Sequence, residues 1–193
     1  AGSQLAWYDR AGKQTGVLGD PAAYTDPELA PDGQRASVSI LDPVSRNQDV
    51  WVYDVARGLR TRFTFDPAEE LVSTWSPDGS RVIFDSRRKG HLDLYQKASS
   101  GAGTEEALIE DSLDKVSLSW SPDGRFILYT TGNATPRTGN DLFVLPLSGE
   151  RKPALFLRTQ FSERFGQFSP DGRWVAYDSN ESGRYEVYVA PFP

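Results

Sequence analysis

The chain has 193 residues and carries 21 basic against 27 acidic side chains, a formal charge of −6. That sign sets the whole-molecule field against nucleic acid and anionic membranes as partners. No apolar run approaches the ~20 residues of a membrane span, no signal-peptide pattern is read in these residues, and the absence of cysteine excludes disulfides, thiolate metal sites and cysteine nucleophiles.

Aromatic residues make up 12 % of the chain, Val and Thr fall in short runs, and no segment keeps a 3.6-residue apolar period over three turns. This composition predicts an all-β protein with almost no helix. Leu5 to Asp9 reads as the third strand of a repeat, because Leu-Ala-Trp-Tyr-Asp parallels Val-Trp-Val-Tyr-Asp at 50–54. Lys13 to Leu18 then forms a fourth, outer strand, and Asp20 to Leu29 carries the chain inward. Ala1 is not a methionine and the chain ends directly after a strand, so it reads as a piece of a longer protein.

From there Pro-Asp-Gly recurs four times, with aspartates at 32, 78, 123 and 171, spaced 46, 45 and 48 residues apart. A period of that size points to propeller blades, each a small antiparallel sheet. In each copy proline presets φ for the first turn corner, aspartate tolerates the second, and glycine accepts the left-handed geometry that closes a hairpin. Two residues before the proline stands Leu29, Trp75, Trp120 or Phe168. Beyond the glycine come the strand runs Val38 to Ile40, Val82 to Phe84, Ile127 to Tyr129 and Val175 to Tyr177.

A third strand follows each time, preceded by Asp49, Asp93, Asp141 or Glu186, which read as edge charges or turn caps. Outer strands fall at Leu59 to Phe65, Glu106 to Ile109 and Pro153 to Leu157. The repeats are thus 20–65, 66–109, 110–157 and 158–193, with the N-terminal strands 5–9 and 13–18 completing a blade. About four blades of four antiparallel strands result. Two closures compete: a four-bladed ring in which strand 13–18 finishes the last blade, or a homodimer whose two chains share strands in a larger propeller.

The segment Trp75 to Ser86, followed by Arg87, Gly90 and Asp93-Leu94-Tyr95, resembles the TolB-like, WD-repeat-like bacterial β-propeller family. Trp120 to Tyr129 and Phe168 to Asp178 repeat it, and Leu29 to Ile40 is a weaker copy with Ala30 in place of serine. Arg62 to Pro67, Gly90 to Lys97 and Gly172 to Tyr177 look most like the C-terminal propeller of bacterial serine/threonine kinases, and more distantly like propellers preceding prolyl-oligopeptidase-type peptidases. The resemblance implies a non-catalytic scaffold that binds a protein, peptide or small ligand, in a periplasmic or otherwise extracytoplasmic location.

Propeller geometry puts the Pro-Asp-Gly turns on one face and the opposite connections at the channel mouth. Those connections carry Asp66, Glu69, Glu70, Asp111, Asp114, Lys115 and Glu163, and the neighbouring loops carry Arg46, Arg87, Arg88, Lys89, His91, Arg137 and Arg184. The expected picture is an acidic mouth inside a basic ring, with Asp66, Glu69, Glu70, Asp111, Asp114, Lys115, Glu163, Arg87 and His91 as ligand-binding candidates. Two alternative functions stand beside it: a metal-assisted hydrolase of lactones, esters or phosphotriesters, with calcium held by Asp66, Glu70, Asp111 and Glu163, and a structural assembly module that works through strand sharing.

Other chemistry is sparse. His91 is the single histidine, no Gly-x-Ser-x-Gly or His-Glu-x-x-His motif occurs, and Gly101-Ala102-Gly103 lacks the rest of a phosphate loop. A triad of His91, Asp93 and Ser86 fits the repeat less well than a loop position for His91. Asn133-Ala134-Thr135 matches a glycosylation acceptor. Trp51, Trp75, Trp120, Trp174, Phe84, Tyr129 and Tyr177 are expected between blades, where burial of each stabilises by roughly 1.5–3 kcal/mol.

Overall fold

The computed structural model describes residues 2–135 and 139–193. Seventeen strands and no helix occur among them. Strands β1 (Ser3–Tyr8) and β2 (Gln14–Ala22) form a two-stranded sheet. Three four-stranded blades follow: β3 (Tyr24–Leu29) to β6 (Leu59–Arg62), β7 (Glu70–Trp75) to β10 (Glu106–Ile109), and β11 (Lys115–Trp120) to β14 (Ala154–Leu157). The last blade has three strands, β15 (Glu163–Phe168), β16 (Trp174–Ser179) and β17 (Glu186–Pro191). All ladders are antiparallel between consecutive strands, and the first strands of successive blades lie against one another around the axis. The four Pro-Asp-Gly blades make a β-propeller.

The turns form as their residues require. In blade two the Gly79 N–H donates to the Ser76 carbonyl at 2.8 Å, with Gly79 at φ 67° where an L side chain is strained. The Asp78 carboxylate accepts from the Ser80 N–H at 3.0 Å and from Ser76 Oγ at 2.6 Å. Ser76 Oγ in turn accepts from the Arg81 N–H at 2.9 Å. Ser121 with Asp123 and Ser169 with Asp171 repeat this arrangement. Blade one has Ala30 and lacks the hydroxyl.

The core lies between blades. Ile83 and Leu94 of blade two pack with Trp120, Ile127 and Tyr129 of blade three, and Leu128 and Leu142 of blade three with Val175 and Phe168 of blade four. Leu18 of the first sheet packs with Val38 and Tyr53, whose ring lies where a Cβ on Gly19 would collide. Trp174 is the exception among the expected core aromatics. It is 44 % exposed, since it opens β16 in the outward register of Arg35 and Arg81.

One register position shows where the stack stops. The residue after the acid in each third strand, Val50, Leu94 and Leu142, is 0 % exposed under the following blade, while its equivalent Val187 is 76 % exposed. At the other end Tyr8 is 62 % exposed, whereas its equivalent Tyr53 is 1 % exposed. No ladder joins the first sheet to β15–β17 among the described residues. The strands expected at 5–9 and 13–18 therefore make a blade fragment of their own instead of completing the last blade, because they pair with each other and pack on blade one.

Candidate functional site

The connection from β6 to β7 and the loop from β8 (Arg81–Ser86) to β9 (Asp93–Ala98) meet beside blade three. Arg88 is their hub. Its guanidinium donates to Glu70 and to Glu105 at 2.7 Å, lies 3.7 Å from Asp66, and sits 4.1 Å over the Tyr95 ring. Its Nε donates to Ser86 Oγ at 2.8 Å. An arginine so held is oriented by a flat aromatic face and several fixed acceptors, which restricts its motion.

Arg87 points the other way and spans Glu69 at 3.4 Å and Asp114 at 3.6 Å. Asp114 also accepts from the Leu92 N–H at 2.8 Å and lies 3.8 Å from His91 Nδ1. Below them Lys115 is buried. Its ammonium donates to Asp93 at 2.8 Å, to Asp111 at 2.7 Å and to the Leu113 carbonyl at 2.6 Å, so all three protons are used. A buried pair satisfied to this degree costs several kcal/mol to break from one side.

Eight of the nine sequence candidates thus fall in three adjoining ion-pair sets, around Arg88, Arg87 and Lys115, and Glu163 lies apart. Glu163 is fully buried in blade four, where it accepts from Thr159 Oγ1. The expected acidic mouth inside a basic ring is corrected to an interleaved set of ion pairs, because the β8–β9 loop folds back over its own acidic connection. Burial raises the pKa of Glu70 against the pull of Arg88, and it raises that of Glu163 as well. Partial desolvation pushes the carboxyl of half-exposed Asp111 up, but Lys115 holds it below its ordinary value.

The acids Asp49, Asp93 and Asp141 are not edge charges. Each is buried and bonded to a cation that follows its blade's outer strand or ends it: Arg62 at 2.8 Å, Lys115 at 2.8 Å and Arg158 at 2.8 Å. They latch the outer strand and the next connection to the blade. Spacing showed that the acid recurs, but its partner stands at a different offset in each repeat. Glu105 was missed for the same reason.

Asp66, Glu70 and Asp111 are each engaged by a cation, and among the described residues no group of three or more His, Asp or Glu side chains is gathered to hold a metal ion. His91 pairs with Asp114 while Ser86 bonds Glu70 and Arg88. Arg137 lies outside the described residues, as do the side chains of Asn133-Ala134-Thr135.

The axial cavity was also not foreseen. It has a volume of about 480 Å³ and is lined from four blades, by Asp26, Glu28, Thr74, Ser119 and Gln167 among others. Glu28 accepts from the Trp75 N–H at 3.3 Å, and burial pushes its carboxyl up to about 7.

Several known proteins share this architecture. An uncharacterized peptidase, YuxL of Bacillus subtilis, is 26 % identical over 86 % of this chain and 32 % of its own length. The Tol-Pal system protein TolB of Helicobacter pylori is 26 % identical over 82 % of this chain and 35 % of its own. The chain therefore spans about a third of the curated relatives it matches. The crystal structure of TolB from Acinetobacter baumannii superposes with a TM-score of 0.80 at 20 % identity, over 97 % of this chain and 46 % of that one. A puromycin-hydrolyzing peptidase of Mycobacterium tuberculosis gives 0.71 at 17 % identity, over 95 % and 30 %. With residues 10–188 matching the family described as the TolB beta propeller domain, and with four turn-locked blades in the structure, the chain belongs to that family.

Proposed function

We propose that this propeller is a non-catalytic module that binds a protein or peptide through the channel-mouth face of blades two and three. The observation that carries this reading is the two-tier set of ion pairs: half-buried Arg88 and buried Lys115 fix the connections, and the more exposed Glu69, Arg87, His91 and Asp114 stand above them. A face of alternating charge on a rigid base recognises a partner by complementary pairs while losing little conformational entropy. The relatives named as Tol-Pal system proteins support a protein partner and an extracytoplasmic location.

The test is affinity capture with the protein as bait, comparing wild type with a Glu69→Gln, Arg87→Gln, Asp114→Asn variant of unchanged thermal midpoint. A partner that binds the wild type directly, after purification, and loses at least tenfold in affinity to the variant supports the reading. Undiminished binding of every purified partner places recognition elsewhere. Fractionation of the producing cells checks the location.

A second reading concerns assembly. The open face around Val187 and the exposed Tyr8 at the other end are the two halves of a blade junction, so two copies of the chain associate through them into a larger ring.

A further inference from the structure

A cavity of about 910 Å³ lies away from the axis, on the flank of blade one. Its walls come from the end of β2 at Pro21 and Ala22, the loop between β4 (Arg35–Leu41) and β5 (Gln48–Asp54), and strand β6. It borders the channel-mouth connection at Pro67, beside Asp66, and at Asn47, whose amide donates to the Asp66 carbonyl at 3.4 Å. The charged side chains on its walls are three arginines, Arg46, Arg60 and Arg62, against two aspartates, Asp42 and Asp49. The lining is net positive on a chain whose total is −6.

Both aspartates are already engaged. Asp42 accepts from the Val44 N–H at 2.8 Å and the Ser45 N–H at 2.7 Å, which hold its carboxyl below the usual range. Asp49 takes Arg62 Nη2 at 2.8 Å. Arg46 and Arg60 have no carboxylate partner among the described residues. Arg62 Nε is buried without an acceptor.

Arg60 is nevertheless fixed in place. Its guanidinium lies 5.1 Å over the Trp51 ring, and Nη1 reaches the Tyr53 hydroxyl at 3.4 Å. Arg60 and Arg62 flank Thr61 on β6, so both face the same side and their Cα atoms are about 7 Å apart. That spacing is the one at which an extended peptide presents alternate side chains. Ile40, Trp51 and Pro21 supply apolar wall between the charges. A single phosphate matches one fork, whereas separated guanidiniums with apolar wall between them match separated carboxylates.

We infer that this cavity is a recognition site for an acidic peptide segment in extended form, with carboxylates at alternate positions meeting Arg60, Arg62 and Arg46. The site stands independently of the channel-mouth reading.

The experiment is fluorescence anisotropy of a labelled peptide, acetyl-Glu-Ser-Glu-Ser-Glu-amide, against its glutamine counterpart. The acidic peptide is expected to bind at least tenfold more tightly than the glutamine one, and to weaken as salt rises from 50 to 300 mM. Arg60→Gln is expected to lower its affinity about tenfold. Arg46→Asn is the second variant, since Arg46 sits at φ 61° in an exposed loop where asparagine fits, and it removes a charge without touching the core. It is expected to lower affinity severalfold, while Arg87→Gln leaves it unchanged. Equal binding of the two peptides, no binding of either, or insensitivity to both cavity substitutions overturns the proposal. Displacement of the peptide by equimolar inorganic phosphate overturns it too, by showing a site for a lone anion.

Discussion

The indole Nε1 of Trp75 donates to Ser37 Oγ at 2.8 Å, across the junction between blades one and two. Ser73 Oγ reaches the same hydroxyl at 2.8 Å, so one fully buried serine ties two groups of the next blade. At the following junction Ile83 stands where Ser37 stood, and the indole Nε1 of Trp120 is buried without a partner. The same tryptophan is therefore polar glue at one junction and plain packing at the next. Ser37→Ala should cost about 1–3 kcal/mol in urea unfolding, since it leaves a buried donor unpaired. A loss below about 0.5 kcal/mol would mean that the junction holds by apolar contact alone.

The turn chemistry offers a gain instead of a loss. Ala30 replaces the serine that in the other three blades bonds its turn aspartate and receives a strand N–H, as Ser76 does with Asp78 and Arg81. Ala30→Ser restores both bonds with one added atom and should stabilise by about 0.5–1.5 kcal/mol. The converse change, Ser121→Ala, should cost a similar amount. Matched thermal and urea denaturation of the two variants decides it, and destabilisation by Ala30→Ser would show that its apolar neighbours Val50 and Phe63 reject the hydroxyl.

These relationships mark what the sequence could reveal. The turn at Ser76 to Gly79 is local, every bond in it spans five residues or fewer, and its recurrence was enough to name the fold. Packing of Trp75, Phe84 and Tyr129 was legible too, because burial follows strand alternation. The ion pairs were not. Arg88 to Glu70 spans eighteen residues and Lys115 to Asp93 twenty-two, and which cation reaches which acid depends on how a loop folds back. Which of the two closures covers the last blade was not legible for another reason: Val187 is apolar like Leu142, and only the absence of a neighbour separates them.

Stability should carry opposing pH signatures. Ser76 and the Ser80 N–H hold Asp78 near 2, below its ordinary 3.8, so its contribution is full above 3.8 and is lost as pH falls toward 2. Glu28 behaves oppositely. Burial raises it from 4.5 to about 7, the folded state binds its proton more tightly, and stability falls as pH rises through that window. Fully buried Asp85, raised by desolvation and by nearby Asp26, has the same sign. Glu28→Gln should be more stable than wild type at pH 7.5, with the difference vanishing below pH 4.5. Parallel urea titrations across that range check it, and a constant difference at all pH values would assign the effect to packing.

The exposed register position bears on assembly. Val50, Leu94 and Leu142 are covered completely by the blade that follows, and Val187 with Val189 presents the same surface uncovered. Contiguous apolar surface of this kind seeks a cover. If two copies close the ring, light scattering should give twice the chain mass at micromolar concentration, and Val187→Lys should return the monomer without lowering the thermal midpoint of the blades. Tyr8→Lys should do the same from the opposite face, because a head-to-tail junction uses both. Dissociation by Val187→Lys but not by Tyr8→Lys would indicate a symmetric pairing of last blades. A monomer at all concentrations would remove self-association and leave the face to another protein.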